Sequence, residues 1–176
     1  MKKVLMTLCV AAVAFGAKAQ DSKKFSLGVG PVVSIPSGDL GTSNGVGIGG
    51  ELQATYGLSS SIDGFAQAGY QSFAGKTVTV NVLGFTASTK SPSVSLIPVL
   101  VGARYKFSEK DGFNAGLGIG YGSFSASGAS STGGFAYSPQ VGYSISKFDI
   151  IANYTSVSVT GGSETFFGLK VYYKFL

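Results

Sequence analysis

Apolar and polar positions alternate along most of the chain. Phe25, Leu27, Val29, Pro31, Val33 and Ile35 share one parity, and Ser26, Gly28, Gly30, Val32 and Ser34 share the other. The cleanest case sets Phe113, Ala115, Leu117, Ile119 and Tyr121 against Asn114, Gly116, Gly118, Gly120 and Gly122. The last sets Phe167, Leu169, Val171, Tyr173 and Phe175 against Gly168, Lys170, Tyr172 and Lys174. Similar runs occupy residues 46–56, 62–71, 96–107, 135–145 and 148–155, and Phe65 interrupts the polar face of the third segment. A period of two is the mark of a strand with two different faces. No stretch after Gln20 carries a sustained helical period. Alternation fades after Tyr154, which predicts a bulge there or the end of the apolar band.

Eight segments of this kind predict an all-β chain. Their lengths suit tilted membrane-crossing strands, which need about 9–11 residues. The connections at residues 57–61, 108–112 and 146–147 are short, while those at 36–45, 74–93, 123–134 and 160–166 are longer. Short turns on one side and long loops on the other predict an eight-stranded antiparallel up-and-down transmembrane barrel, with periplasmic turns and extracellular loops. Both termini then lie with the turns. Within the second loop, residues 77–82 alternate again, predicting a hairpin with Leu83 and Gly84 near its tip. Residues 123–134, rich in Ser, Gly and Ala, read as a mobile surface loop.

A soluble barrel alternates too, with its apolar face inward. Here the other face is Gly, Ser, Asn and Gln, which makes a poor solvent surface but suits a narrow lumen. The aromatics also cluster by end. Phe25, Tyr56, Tyr105, Phe107, Phe113, Tyr143, Phe148, Tyr173 and Phe175 lie near the turn ends, and Tyr70, Tyr121, Phe135 and Tyr137 near the loop ends. Strand propensity explains their number but not this clustering, which membrane interfaces require. The apolar parity is therefore expected to face lipid.

The first nineteen residues read differently. Lys2 and Lys3 precede an uncharged apolar run from residue 4 to 15, and Ala17, Lys18 and Ala19 fit a signal-peptidase site. Residues 1–19 are expected to be a cleaved secretory signal and 20–176 the barrel domain. The run is too short for a membrane helix. Cys9 lies mid-run behind Leu8, a poor lipoprotein setting, and reads as one more apolar residue of the signal. Cleavage removes three lysines and leaves ten basic against eight acidic residues, so the mature net charge is +2 rather than +5. No basic stripe then favours nucleic acid.

The chain resembles the small outer-membrane β-barrel family, which includes outer-membrane protein X and the transmembrane domain of outer-membrane protein A. The resemblance covers residues 25–176. It rests on the strand pattern, the turn Pro36-Ser37-Gly38-Asp39-Leu40, and the closing Val171-Tyr172-Tyr173-Lys174-Phe175, which is similar to the signal read by the barrel-assembly machinery. The chain ends in Leu176 rather than an aromatic residue. The resemblance implies a porin-like outer-membrane protein. Its expected partners are outer-membrane lipid and, during biogenesis, the assembly machinery, and it is expected to be monomeric. It identifies no activity.

An eight-stranded lumen is just wide enough for side chains to fill. Glu51, Arg104, Lys106, Lys170 and Lys174 fall on the inward parity. Charges in such a space must be paired or hydrated. Glu51 is expected to pair with Lys170 or Arg104, within a polar plug completed by Gln53, Gln67, Gln140 and Asn153. The same groups could instead line a narrow ion path. Asp63, Glu109, Lys110, Asp111, Lys147 and Asp149 read as solvated residues at or beside the turns. Asp39, Lys76, Lys90 and Glu164 lie on the loop side, too sparse to favour a cation site or a lipopolysaccharide contact.

The chain has no His, and its one Cys is Cys9. Ser-His-Asp and Cys-His catalysis and His- or Cys-bound zinc are excluded. No cofactor, metal site or catalytic residue is expected. The glycines of residues 116–120 alternate within a strand, with no helix after them, so they are not a dinucleotide loop. They read as spacers in the lumen. A structural or surface-interaction barrel acting through its loops accounts for these features. A narrow porin-like pore is the alternative, since open porins have about 16–18 strands. A lipid-modifying enzyme lacks a His base, and a soluble ligand-binding barrel has the wrong faces.

Overall fold

The computed structural model describes residues 25–82, 85–108, 111–126 and 131–176. The expected signal segment with Cys9 lies outside these residues, as do Leu83, Gly84, Glu109 and Lys110. The elements are β1 (Phe25–Ser37), α1 (Gly38–Ser43), β2 (Asn44–Gly57), β3 (Ile62–Gly75), β4 (Thr77–Val82), β5 (Phe85–Lys90), β6 (Val94–Lys106), β7 (Gly112–Ala126), β8 (Thr132–Ile145), β9 (Phe148–Val159) and β10 (Gly162–Lys174). Eight of the strands close a barrel in the order β1-β2-β3-β6-β7-β8-β9-β10, and every neighbouring pair is antiparallel. Strands β4 and β5 form a separate hairpin from Thr77↔Lys90 to Val82↔Phe85.

The apolar parity faces outward. Ile48, Leu52, Val101, Leu117, Val141 and Leu169 are all more than half exposed. On the closed ring these side chains form a continuous outward apolar band, larger than a water-exposed surface ordinarily carries. The aromatic belts pair across strands. Near the turns, Phe113 and Tyr143 meet edge-to-face at 4.9 Å, and Phe148 and Tyr173 pack tilted at 5.4 Å. Near the loops, Tyr154 lies between Tyr137 and Phe167 at 6.5 and 5.1 Å.

Three sequence expectations need correction. The loop at residues 123–134 is mostly strand, because β7 and β8 stay paired through Ser123↔Gly133 and Phe124↔Thr132. Gly133 permits this: a Cβ there would strike the carbonyl of Gly122. The connection at 160–166 is a tight turn, since β9 and β10 pair out to Val159↔Gly162, and Gly161 takes a positive φ of 96°. Small polar residues after Tyr154 hid this continuation. Strand β9 runs straight through in its ladder with β10, and the shift in register lies instead between Asn44 and Gly47 of β2. The third correction is α1, a short helix where none was expected. It places Leu40 over the end of the barrel, only 5% exposed.

Four prolines sit inside barrel strands, Pro36 as the next-to-last residue of β1. The other three each coincide with a two-residue lapse in one flanking ladder. Pro31 sits at the lapse between β1 and β10, Pro98 between β6 and β3, and Pro139 between β8 and β9. A proline has no N–H to offer, so the ladder breaks beside it.

The glycines on the inward parity of β7 make room for side chains from other walls. A Cβ on Gly118 would touch Phe65 at 3.4 Å, and one on Gly122 would stand 2.8 Å from Val157. Replacing Gly122 by Val should overpack this level and cost about 1–3 kcal/mol. The measurement is urea unfolding of the folded barrel in detergent, beside the parent chain.

Candidate functional site

The lumen divides into two zones. The turn-side half is charged. Lys170 Nζ on β10 lies 2.7 Å from Glu51 Oε1 on β2, and the two side chains are 3% and 1% exposed. Tyr172 donates its hydroxyl to the same oxygen at 2.5 Å. Both contacts pass over the inner face of β1, which lies between β10 and β2. Gly30, the partner of Glu51 on β1, leaves that space open, and a Cβ there would collide with the Val171 carbonyl.

The network continues without a gap. Lys170 also donates to Gln67 Oε1 at 3.3 Å. Gln67 Nε2 donates to Gln53 at 2.9 Å and to Gln140 at 3.4 Å. Arg104 donates to Gln53 Oε1 at 2.6 Å and lies 3.5 Å from Asp149, while Gln53 Nε2 donates to Asp149 at 3.2 Å. Lys174 lies 2.9 Å from the other Asp149 oxygen. Nearer the turns, Lys106 and Asp63 pair at 2.8 Å. Arg104 also stacks its guanidinium over Phe65, 5.1 Å from the ring centre. Asn153 forms a separate cluster with Ser138 and Thr155, at 3.3 and 2.8 Å. Three carboxylates thus meet four cations, which leaves this zone close to neutral.

Every residue placed in the plug by sequence is buried: Glu51, Gln53, Gln67, Arg104, Gln140, Asn153 and Lys170. Of the two partners open to Glu51, Lys170 takes the position. Arg104 turns to Asp149, which is 3% exposed rather than a solvated residue beside the turn. Asp63 is likewise paired rather than free. Asp149 and Tyr172 lie on the inward parity of their strands, and that parity was the signal that could have placed them. Asp111 does serve a turn: its carboxylate accepts the backbone N–H of Ser146, which takes a positive φ of 50°.

The loop-side zone is apolar. Leu40, Phe73, Leu96, Leu100, Phe124 and Phe166 form one buried cluster, with Phe73 and Phe166 tilted at 5.7 Å. Above it, α1, the loop-side ends of β7 and β10, and the starts of β2, β6 and β8 surround a vestibule of about 310 Å³. Its floor includes Leu40, Val94 and Phe124, and its polar lining includes Asp39 and Glu164. Glu164 lies beyond Phe167, the last outward aromatic of β10, and so above the apolar band. Burial pushes its carboxyl above the usual range and the nearby Asp39 adds to this, while the Leu40 backbone N–H opposes it.

Breaking a buried ion pair strands the remaining charge. Glu51→Ala should therefore cost about 3–5 kcal/mol, and the double change Glu51→Met with Lys170→Met should recover most of that loss. Equilibrium unfolding of both variants in detergent checks the pair. Similar losses in the single and double variants would place the cost in packing instead.

Comparison with solved structures identifies the fold. Ail, the attachment invasion locus protein of Yersinia pestis, in complex with the heparin analogue sucrose octasulfate, aligns with a TM-score of 0.55 at 17% identity, covering 86% of this chain and 98% of that one. The N-terminal β-barrel domain of Pseudomonas aeruginosa OprF aligns with a TM-score of 0.55 at 14% identity, covering 85% and 97%. Neisserial surface protein A gives 0.52 at 16% identity, covering 86% and 97%. The architecture is that of the small eight-stranded outer-membrane barrels. No curated protein matches the sequence. One family model does, over residues 8–175, nearly the whole length, and the chain belongs to the family described as the putative MetA pathway of phenol degradation.

Proposed function

We propose that this chain is an integral outer-membrane barrel with a closed lumen, acting as a structural element or through contacts made by its loops. One observation carries the reading: a paired charge network fills the turn-side half and a buried apolar cluster fills the loop-side zone. An ion moving along the axis would have to break buried pairs and then cross a dry layer. Both steps are expensive in a low-dielectric interior. The outward apolar band and paired aromatic belts support insertion in a bilayer. The reading is non-catalytic, with outer-membrane lipid and the assembly machinery as partners and a monomeric barrel as the unit.

The similar Ail structure holds a polysulfated sugar. The loop side of this chain does not suggest the same ligand, since its vestibule carries Asp39 and Glu164. The family's description connects its members with phenol degradation. That connection gives the second reading, a narrow porin-like path for ions or small solutes, its specific support: the charge network reaches from Lys174 to Gln140.

Cell fractionation should recover the protein in the outer membrane, and its gel mobility should change on boiling, because a closed barrel resists detergent. In planar bilayers the purified barrel should give no steady conductance, and Glu51→Ala should lower thermal stability without opening one. A steady conductance in the parent chain would favour the porin-like path.

A further inference from the structure

One row of the barrel wall is short of acceptors. Its backbone register runs from Arg104 of β6 to Gly116 of β7, then to Gln140 of β8 and Asn153 of β9. Arg104, Gln140 and Asn153 are all buried. Arg104 turns one terminal nitrogen to Asp149 and the other to Gln53, and Gln140 accepts from Gln67 with its oxygen. Gln53 and Gln67 bond to each other, so both side chains are held against the same pair. That leaves one donor on each, Arg104 Nε and Gln140 Nε2, buried and without a partner. The two residues flank Gly116, which has no side chain to separate them. Their backbones stand about 10 Å apart, two strand spacings, and inward side chains converge inside a ring.

The neighbouring acceptors face elsewhere. Asn153 Oδ1 lies over Gly168 of β10, 2.6 Å from where a Cβ would stand, and Asn114 Oδ1 lies over Gly142 of β8 at 3.0 Å. Glu51 Oε2 also lacks a partner but belongs to β2, three strands from β7. Charge is out of balance in the same direction. Asp149 serves both Arg104 and Lys174, while Glu51 and Asp63 each serve one lysine, so four cations meet three carboxylates. A buried donor without a partner is costly, and more so on a charged group. A water molecule would satisfy the donors and leave the charge, and a metal cation would be repelled by it.

We propose that the lumen binds one halide-sized monovalent anion over Gly116, held by Arg104 Nε–H and Gln140 Nε2–H. Phe65 occupies the space over Gly118, the next inward residue of β7, so the room suits a single large atom rather than an oxyanion. Lys106 and Lys174 line the way in from the turn side, with side chains 23% and 22% exposed. The anion can occupy this place in a closed lumen and in a conducting one alike.

The folded barrel in lipid nanodiscs is titrated separately with sodium chloride and sodium bromide, at an ionic strength held constant with sodium methanesulfonate. Arg104 is the one arginine of the chain, so its Nε–H signal is read by NMR without ambiguity. Each halide should move that signal to saturation, and methanesulfonate alone should not. Gln140→Leu should weaken chloride binding about tenfold, as expected for removing one hydrogen bond to a charged group. If that variant fails the boiling-dependent gel shift, anomalous scattering from bromide-soaked crystals of the parent barrel decides, with the peak expected in contact with Arg104 Nε and Gln140 Nε2. A signal that follows ionic strength alone, no saturation with either halide, unchanged affinity in folded Gln140→Leu, or no bromide peak over Gly116 would each overturn the proposal.

Discussion

Closing eight strands into a ring removes every sheet edge and makes the interior a space with a fixed width. What fills one side of that space must fit what comes from the opposite wall. In this chain the constraint is met by alternating bulk and absence. Phe65 from β3 fills the room left by Gly118 of β7, and Val157 from β9 the room left by Gly122. Glu51 reaches Lys170 over the bare inner face of Gly30. Gly118 and Gly122, like Gly47 opposite the Phe73 ring, are therefore the complements of large inward side chains.

The two zones meet the constraint in different ways. Charged groups fill the turn-side half with hydrogen bonds that fix direction and partner. Apolar groups fill the loop-side zone by shape, with α1 laying Leu40 across the end. The order along the axis matters. A buried apolar layer on the loop side covers the ion pairs beneath it at one end, and low local dielectric strengthens such pairs. The same layer gives the vestibule its apolar floor.

Much of this was legible in the sequence because a strand's period of two assigns each residue to a face. The eight strands, the lipid-facing parity, the aromatic belts and the hairpin at residues 77–90 follow from that period and the turn spacing. So does the inward placement of Glu51, Arg104 and Lys170. The period does not say which inward residues meet, because that depends on which walls face each other once the ring is closed. Arg104 therefore found Asp149, a residue read as solvated beside its turn. The apolar cluster was visible only in fragments, as Leu96 and Leu100 on the inward parity of one strand. Leu40, Phe124 and Phe166 lay in stretches read as loops, and Phe73 fell between the end of the third alternating run and the loop after it. Loop length was misjudged where Ser, Thr and Gly, common in turns, also serve in tightly paired strands.

The seam between β1 and β10 joins the two ends of the chain, and Pro31 interrupts its backbone ladder. The contacts of Lys170 and Tyr172 with Glu51 span that same seam from inside. Backbone pairing alone tolerates a slip of one residue, but a slip turns every side chain to the other face. Lys170 would then point out of the barrel, among the outward apolar side chains, and leave Glu51 alone in the lumen. Closure of the ring thus checks its own alignment: β1 and β10 are held beside the gap in their ladder by side-chain contacts that agree in one register.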